Sequence, residues 1–219
     1  DLVSGRAPDI VLAGTEWMDG HWQVSVRTPA GPVACRLHIA GRHNVRNALA
    51  ATACALAAGV PLASIAQGLE EFEPVKGRSR ALSVSLGAHT ITLVDDSYNA
   101  NPDSARAAID VLAELPAPHL LVMGDMGEVG DQGPQFHAEV GDHARAVGIE
   151  QVFTLGEQSA AMRGWHFADI ESLKAAVISE LPTTASILVK GSRFMKMERV
   201  VEAITAHAQQ SQPGASHAA

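Results

Sequence analysis

Apolar and polar positions follow two different rhythms along the chain, and the change comes near residue 77. In the first forty residues the apolar positions alternate or run together over short stretches. Asp9-Ile-Val-Leu-Ala, His21-Trp-Gln-Val-Ser-Val-Arg and Val33-Ala-Cys-Arg-Leu-His-Ile predict strands, with Asp19-Gly20 and Pro29-Ala-Gly-Pro32 as the turns. Helical spacing follows from about Asn44 to Ala58, where Gly59 and then Pro61 stop it, and a shorter helix is predicted over 62–71. Phe72-Glu-Pro-Val-Lys-Gly77 breaks every periodicity and reads as a linker.

Beyond it, apolar strand candidates at 81–86, 90–94, 120–123, 151–155 and 187–189 alternate with helical patterns at 102–115, 134–147, 170–181 and 194–206. Strand–helix alternation with short connections predicts an α/β fold, its mainly parallel sheet covered by helices on both faces. Three regions are expected: 1–76, β-rich and then helical; 77–207, the parallel α/β domain; and 208–219, a polar, small-residue tail expected to be disordered.

Composition narrows the function classes. Sixteen Lys and Arg against twenty-four Asp and Glu give a formal charge of −8 over 219 residues, a poor surface for tracking nucleic-acid phosphates. A hydrophobic fraction of 47% supports a packed core, and no apolar run reaches the roughly 20 residues that span a bilayer. The two cysteines, Cys35 and Cys54, lie in apolar surroundings and are expected to be buried, reduced thiols, which fits a cytoplasmic chain. The ten histidines are scattered without zinc-ligand spacing and are expected mostly at the surface, so no metal site is assigned.

The chemistry-bearing residues gather where strands end. In open parallel sheets, ligands bind at the carboxyl ends of the strands. Here those ends read Val94-Asp-Asp-Ser-Tyr-Asn-Ala-Asn-Pro-Asp-Ser104, Val122-Met-Gly-Asp-Met-Gly-Glu-Val-Gly130, Leu155-Gly-Glu157 and Val189-Lys-Gly-Ser-Arg-Phe194, which predicts one shared cleft. Asn101, Pro102 and Asp103 are explained as cap, first helical residue and dipole complement. Asp95 and Asp96 are not, because paired carboxylates are costly to bury without partners such as ribose hydroxyls or a cation. In Gly41-Arg-His-Asn-Val-Arg-Asn47, Asn44 reads as a helix cap. Asn47, three residues on, can converge with it on an adenine edge. Lys76-Gly-Arg-Ser-Arg80 and Lys190-Gly-Ser-Arg193 offer cations to an anion. For Lys196 and Arg199 a solvated helix face is expected.

The order of these motifs closely resembles the ATP-dependent Mur ligases of peptidoglycan synthesis, over roughly residues 41 to 205. Within that family, Asp-Asp-Ser-Tyr-Asn-Ala-Asn-Pro and Gly-Asp-Met-Gly-Glu are similar to the branch that joins D-alanyl-D-alanine to a UDP-N-acetylmuramoyl-tripeptide. The resemblance implies a Rossmann-like C-terminal domain preceded by a β-rich remnant of the central ATP-binding domain. It implies ATP and Mg2+ as cofactors, and an acyl phosphate that the dipeptide amine attacks. By motif matching, Asn44 and Asn47 would contact adenine with His43 shaping that wall. Arg78 would reach ribose and phosphate, Asp96 the ribose hydroxyls, and Tyr98 and Asn99 the adjoining turn. Lys190, Ser192 and Arg193 would meet the incoming dipeptide, while Asp125 and Glu128 match a motif without a derived role. A hinge near residues 72 to 78 would let the C-terminal domain close and exclude water.

The family's Gly-x-x-Gly-Lys-Thr phosphate loop is not in this sequence, and its magnesium ligands are expected upstream. The chain is therefore expected to be the C-terminal portion of a longer ligase, inactive alone, with contacts to other peptidoglycan-synthesis enzymes. Two alternatives stand beside this: another amide ligase of the superfamily, such as folylpolyglutamate synthetase, or a non-catalytic docking or nucleotide-binding module.

Overall fold

A computed structural model describes residues 9–18, 20–87, 89–149 and 151–211. The chain divides into two compact units, Asp1–Pro74 and Val75–Ala219.

The first unit carries an antiparallel three-stranded sheet, β1 (Val11–Met18), β2 (His21–Thr28) and β3 (Gly31–Leu37), and two helices, α1 (Arg42–Ala57) and α2 (Leu62–Glu70). Strict alternation along β2 and β3 puts Trp22, Val24, Val26, Val33, Cys35 and Leu37 on one face. There they share a core with Val45 and Ala48 of α1, against which Leu62 and Leu69 of α2 also pack. The expected strand at 9–13 is displaced to β1, which pairs with β2 through an irregularity between Leu12 and Gly14.

The second unit is a six-stranded sheet of order β4-β5-β9-β6-β7-β8. Its strands are β4 (Arg80–Leu86), β5 (His89–Asp96), β6 (His119–Gly124), β7 (Gln151–Leu155), β8 (Trp165–Phe167) and β9 (Ser186–Lys190). Only β4 runs antiparallel; the others are parallel, so five strands end at one edge. The helices are α3 (Pro102–Ala113), α4 (Gly133–Ala146), α5 (Ile170–Glu180) and α6 (Glu198–Gln210). Alternate strand residues divide between two apolar layers. Ile91, Leu93, Leu120, Val122, Phe153, Ile187 and Val189 pack with Leu173 and Val177 of α5 and with Val200 and Ile204 of α6. Val94, Leu121, Met123, Val152 and Leu188 are buried toward the other face, where α3 packs on β6, β9 and α4.

Several sequence expectations change. β8 was not expected, being only three residues long with Trp165 exposed. The last helix begins at Glu198 rather than 194, because Arg193–Met195 form a short 3-10 turn and Lys196 takes a left-handed φ of 52°. Lys196 is thus off the helix, and Arg199 pairs with Glu171 at 2.9 Å instead of facing only solvent. α6 continues to Gln210, so the first residues of the tail expected at 208–219 are helical, and 212–219 lies outside the described residues. Cys54 is exposed on α1, whereas Cys35 is buried. Histidines were expected mostly at the surface; His137 is fully buried.

Candidate functional site

The carboxyl ends of β5, β9, β6 and β7 stand side by side, and their loops are cross-braced. Residue pairing sets Asp96 of β5 beside Lys190 of β9, and Lys190 beside Met123 of β6. The four loops expected to share one cleft thus adjoin one another in the second unit.

Asp95 and Asp96 point their carboxylates to opposite tasks. Asp95, 1% exposed, accepts bonds from the Gly77 N–H at 3.1 Å, the Ser97 N–H at 3.3 Å and the Ser97 hydroxyl at 2.6 Å. Its partners are internal, which corrects the suggestion that ribose or a bound cation satisfies it. The burial cost is met by tying the 77–79 loop to the sheet. Asp96 Oδ1 accepts from the Ser79 N–H at 2.9 Å and the Ser79 hydroxyl at 3.2 Å, and Oδ2 is paired with the Lys190 ammonium. A cation of the protein itself, Lys190, thus stands beside Asp96.

Gly77 makes the loop possible. Its φ is +81°, it accepts the Tyr98 N–H at 3.0 Å, and a Cβ there would lie 3.0 Å from the Tyr98 nitrogen. The next residue, Arg78, is carried over the ring of Tyr98, its guanidinium carbon 4.2 Å from the centroid; that of Arg193 is 5.6 Å away. Tyr98 is 41% exposed and lines a cleft of about 270 Å³ with Lys76, Ser97, Arg193, Glu198 and Glu202. Lys76 pairs with Glu202 and Arg193 with Glu198, both at 2.9 Å. The Glu202 carboxylate beside it holds the Lys76 ammonium above its ordinary pKa. Sequence reasoning missed Glu198 and Glu202; their four-residue spacing on one helix face was the available signal.

The remaining predicted residues are placed as follows. Asn99 is exposed; its Oδ1 accepts the Ala100 N–H at 2.9 Å, and its carbonyl accepts from Lys190 at 2.9 Å. Ser192 is buried, its hydroxyl 3.4 Å from the Ala100 carbonyl. Asn101 caps α3 as expected, accepting the Ser104 N–H at 2.8 Å in a reciprocal capping box.

Asp125 acquires a role. Its carboxylate accepts the N–H groups of Gln158 and Ser159, at 3.1 and 2.7 Å to Oδ1, and its carbonyl accepts the Ser192 N–H at 2.9 Å. The loop after β6 is thus a brace joining the loops after β7 and β9. His137 supports the same loop: Nδ1 lies 2.7 Å from the Gly133 carbonyl, and Nε2 accepts the Met126 N–H at 2.8 Å. Those two bonds require the neutral ring protonated at Nδ1. Glu128 is exposed, in a left-handed turn with φ of 57°.

The first unit holds His43, Asn44 and Asn47. α1 starts at Arg42 with Gly41 as its cap, so Asn44 sits one turn further in than expected. Its amide instead donates to the Ala40 carbonyl at 2.7 Å and lies 3.1 Å from His43 Nε2. Asn47 Nδ2 donates to Asn44 Oδ1 at 3.1 Å. Both carboxamides border a pocket of about 230 Å³ otherwise lined by Leu37, Ile39, Ala48, Ala51, Leu69 and Phe72. Apolar walls with a carboxamide rim suit a flat heteroaromatic base. Among the described residues, no group of three or more His, Cys, Asp or Glu side chains is arranged to hold a metal ion. No helix among them is long and apolar enough to cross a membrane.

Comparison with known proteins gives the same direction. The family model "Mur ligase, glutamate ligase domain" matches residues 77–215. The UDP-N-acetylmuramoyl-tripeptide–D-alanyl-D-alanine ligase of Escherichia coli K12 is 42% identical over 191 residues, covering 83% of this chain and 41% of that protein. A crystal structure of MurF from Acinetobacter baumannii superposes with a TM-score of 0.77 at 33% identity, covering 90% of this chain and 45% of that one. MurF from Thermotoga maritima, solved in complex with ADP, has a TM-score of 0.78 at 20% identity and shares the fold, covering 93% of this chain and 48% of that one. The chain spans less than half the length of these relatives. With the domain model covering most of its length and motifs at the carboxyl edge of its second sheet in the family's order, the chain belongs to the Mur ligase family.

Proposed function

We propose that this chain is the C-terminal portion of an ATP-dependent ligase that joins D-alanyl-D-alanine to a UDP-N-acetylmuramoyl-tripeptide in the cytoplasm. In that reading residues 1–76 end the central ATP-binding domain and 77–207 are the C-terminal domain. The observation that carries it is the grouping of Arg78, Asp96, Tyr98, Lys190 and Ser192 at adjoining strand ends, in a chain 42% identical to the Escherichia coli enzyme of that name.

ATP supplies the phosphoryl group that turns the tripeptide carboxylate into an acyl phosphate, with Mg2+ expected to accompany it. Each unit, taken by itself, carries groups that suit part of a nucleotide. The apolar pocket of the first unit takes the adenine, with Asn47 and Asn44 at its rim and His43 beside them. In the second unit, Asp96 is suited to accept from a ribose hydroxyl, and Arg78, its guanidinium held over the Tyr98 ring, to reach ribose and phosphate. Tyr98 and Asn99 form the turn beneath. At the end of β9, Arg193 is exposed and meets the dipeptide carboxylate, Ser192 standing behind it. These groups bind and orient; the rate gain comes from positioning and charge stabilisation.

The test is phosphate release by the full-length protein with ATP, magnesium and the UDP-linked tripeptide. Release that depends on D-alanyl-D-alanine is the expected result. Release driven by glutamate with a folate substrate would overturn the reading in favour of a folylpolyglutamate synthetase-like ligase. Pull-down of other peptidoglycan-synthesis enzymes by the same protein tests the expected partner contacts.

A further inference from the structure

We propose that Lys190 is a positioning residue for Asp96 and the Tyr98–Asn99 turn, and that it does not touch the amino substrate. The motif alone places Lys190 with Ser192 and Arg193 as a binder of the dipeptide carboxylate. The geometry separates it from them.

Lys190 ends β9 in register with Asp96, and its side chain is 2% exposed, whereas that of Asp96 is 14% exposed. The ammonium therefore lies behind the carboxylate. It donates to Asp96 Oδ2 and, at 2.9 Å, to the Asn99 carbonyl. Two of its three N–H bonds are thus committed inside the protein. At 2% exposure the side chain offers a substrate carboxylate almost no approach, and displacing Asp96 would leave that charge without its counter-charge.

The same contacts say what Lys190 does. An ionised carboxylate has about four acceptor positions. Ser79 fills both on Oδ1 through its N–H and hydroxyl, and Lys190 fills one on Oδ2. One acceptor position remains, on the oxygen that Lys190 holds, so Asp96 can take one further hydrogen bond without releasing a partner. The second contact, on the Asn99 carbonyl, holds the turn that carries Tyr98, on which Arg78 rests. One buried cation thereby sets two nucleotide-facing groups. The inference rests on the proposed nucleotide role of Asp96.

The experiment uses the full-length ligase. Lys190→Met should raise the KM for ATP about ten- to a hundredfold, the scale of one lost charge-assisted bond. The KM for D-alanyl-D-alanine should stay within about twofold. In an Asp96→Asn background the same substitution should add little further, since both act through one pair. A raised dipeptide KM with an unchanged ATP KM would overturn the proposal, as would two unchanged KM values. Because Lys190→Met strands a charge and can unfold the sheet, the wild-type enzyme gives a second reading. Brief amine acylation followed by peptide mass analysis should leave Lys190 unmodified with or without dipeptide, while Lys76 is modified. Modification of Lys190 that the dipeptide blocks would overturn the proposal independently of folding. A wild-type enzyme that neither binds ATP nor releases phosphate would instead refute the proposed function, and this inference with it; wild-type turnover with an indifferent Lys190→Met refutes the inference alone.

Discussion

Replacing Asp125 by Ala distinguishes a brace from a ligand. The carboxylate accepts from two backbone N–H groups, those of Gln158 and Ser159, and Ser159 is fully buried. An acceptor removed from a buried N–H leaves a desolvated donor, at about 1–3 kcal/mol each. Gln158 is only partly buried, so its share falls at the low end. The sum is about 2–4 kcal/mol. For a unit of this size each kcal/mol lowers Tm by about 2–4 °C, which gives a loss of roughly 5–15 °C. Asp125→Asn keeps one acceptor oxygen and should lose less than half of that. Gly156→Ala reaches the same brace from the other side: its φ is +118°, and a Cβ there would overlap the Asp125 carboxylate. The control is Gly148→Ala, which has a φ of +88° but nothing within 4 Å of the added carbon. It should show only the conformational strain, about 1–2 kcal/mol. Differential scanning calorimetry measures the sum, and hydrogen exchange at the Gln158 and Ser159 amides locates it. At a temperature where Asp125→Ala remains folded, its KM for ATP should match the wild type. An Asp125→Ala protein that melts with the wild type yet has lost turnover would refute the brace and make the carboxylate a ligand.

Other substitutions test the remaining parts. Arg78→Lys should stay impaired in turnover by about tenfold, because a point charge reproduces neither the stacked plane over Tyr98 nor a two-point fork; steady-state kinetics that match the wild type would sink the assignment. Asn47→Leu should raise the KM for ATP more than that for GTP and leave Tm nearly unchanged, since Asn47 is exposed; equal shifts for both nucleotides would remove it from base recognition. Burial, and then the nearby Glu70 charge, push the Cys35 thiol up to about 11. The folded state then holds a proton that the unfolded chain releases from about pH 9 upward, so this group's stabilisation is complete below pH 9 and is lost between about pH 9 and 11. In thiol titration at pH 8, Cys54 should react in the native protein and Cys35 only after denaturation.

Much of the second unit was legible because its strands are apolar on both faces and its helices carry marked starts. Asn101-Pro102-Asp103 specified the first turn of α3 completely. The short β8 escaped because three residues, Trp165–Phe167, establish no period, and an exposed Trp gives no burial signal. The start of α6 escaped for a different reason. Phe194 and Met195 look helical by pattern, but Lys196 turns left-handed and resets the chain. At the site, the motifs fall at adjoining strand ends, but the contacts among them were not legible. Sequence showed two adjacent carboxylates and a distant lysine. Only the return of the chain to place β9 beside β5 made Asp96 and Lys190 a pair, 94 residues apart. Asp125 stayed opaque because its partners are backbone N–H groups, which any residue type supplies.

The position of β9 has a consequence for biosynthesis. This strand, which begins at Ser186, lies between β5 and β6, which end with 89 and 61 residues intervening before it and do not pair with each other. Until it leaves the ribosome, the emerging chain holds two half-sheets, β4-β5 and β6-β7-β8, each with an unpaired apolar edge. The central ladder can form only late, so this unit should acquire protease resistance in one step once residues through α6 have emerged, after a period of exposure to edge-to-edge association. Arrested nascent chains ending before residue 186 should accordingly bind holdase chaperones, and those extending well past 210 should not.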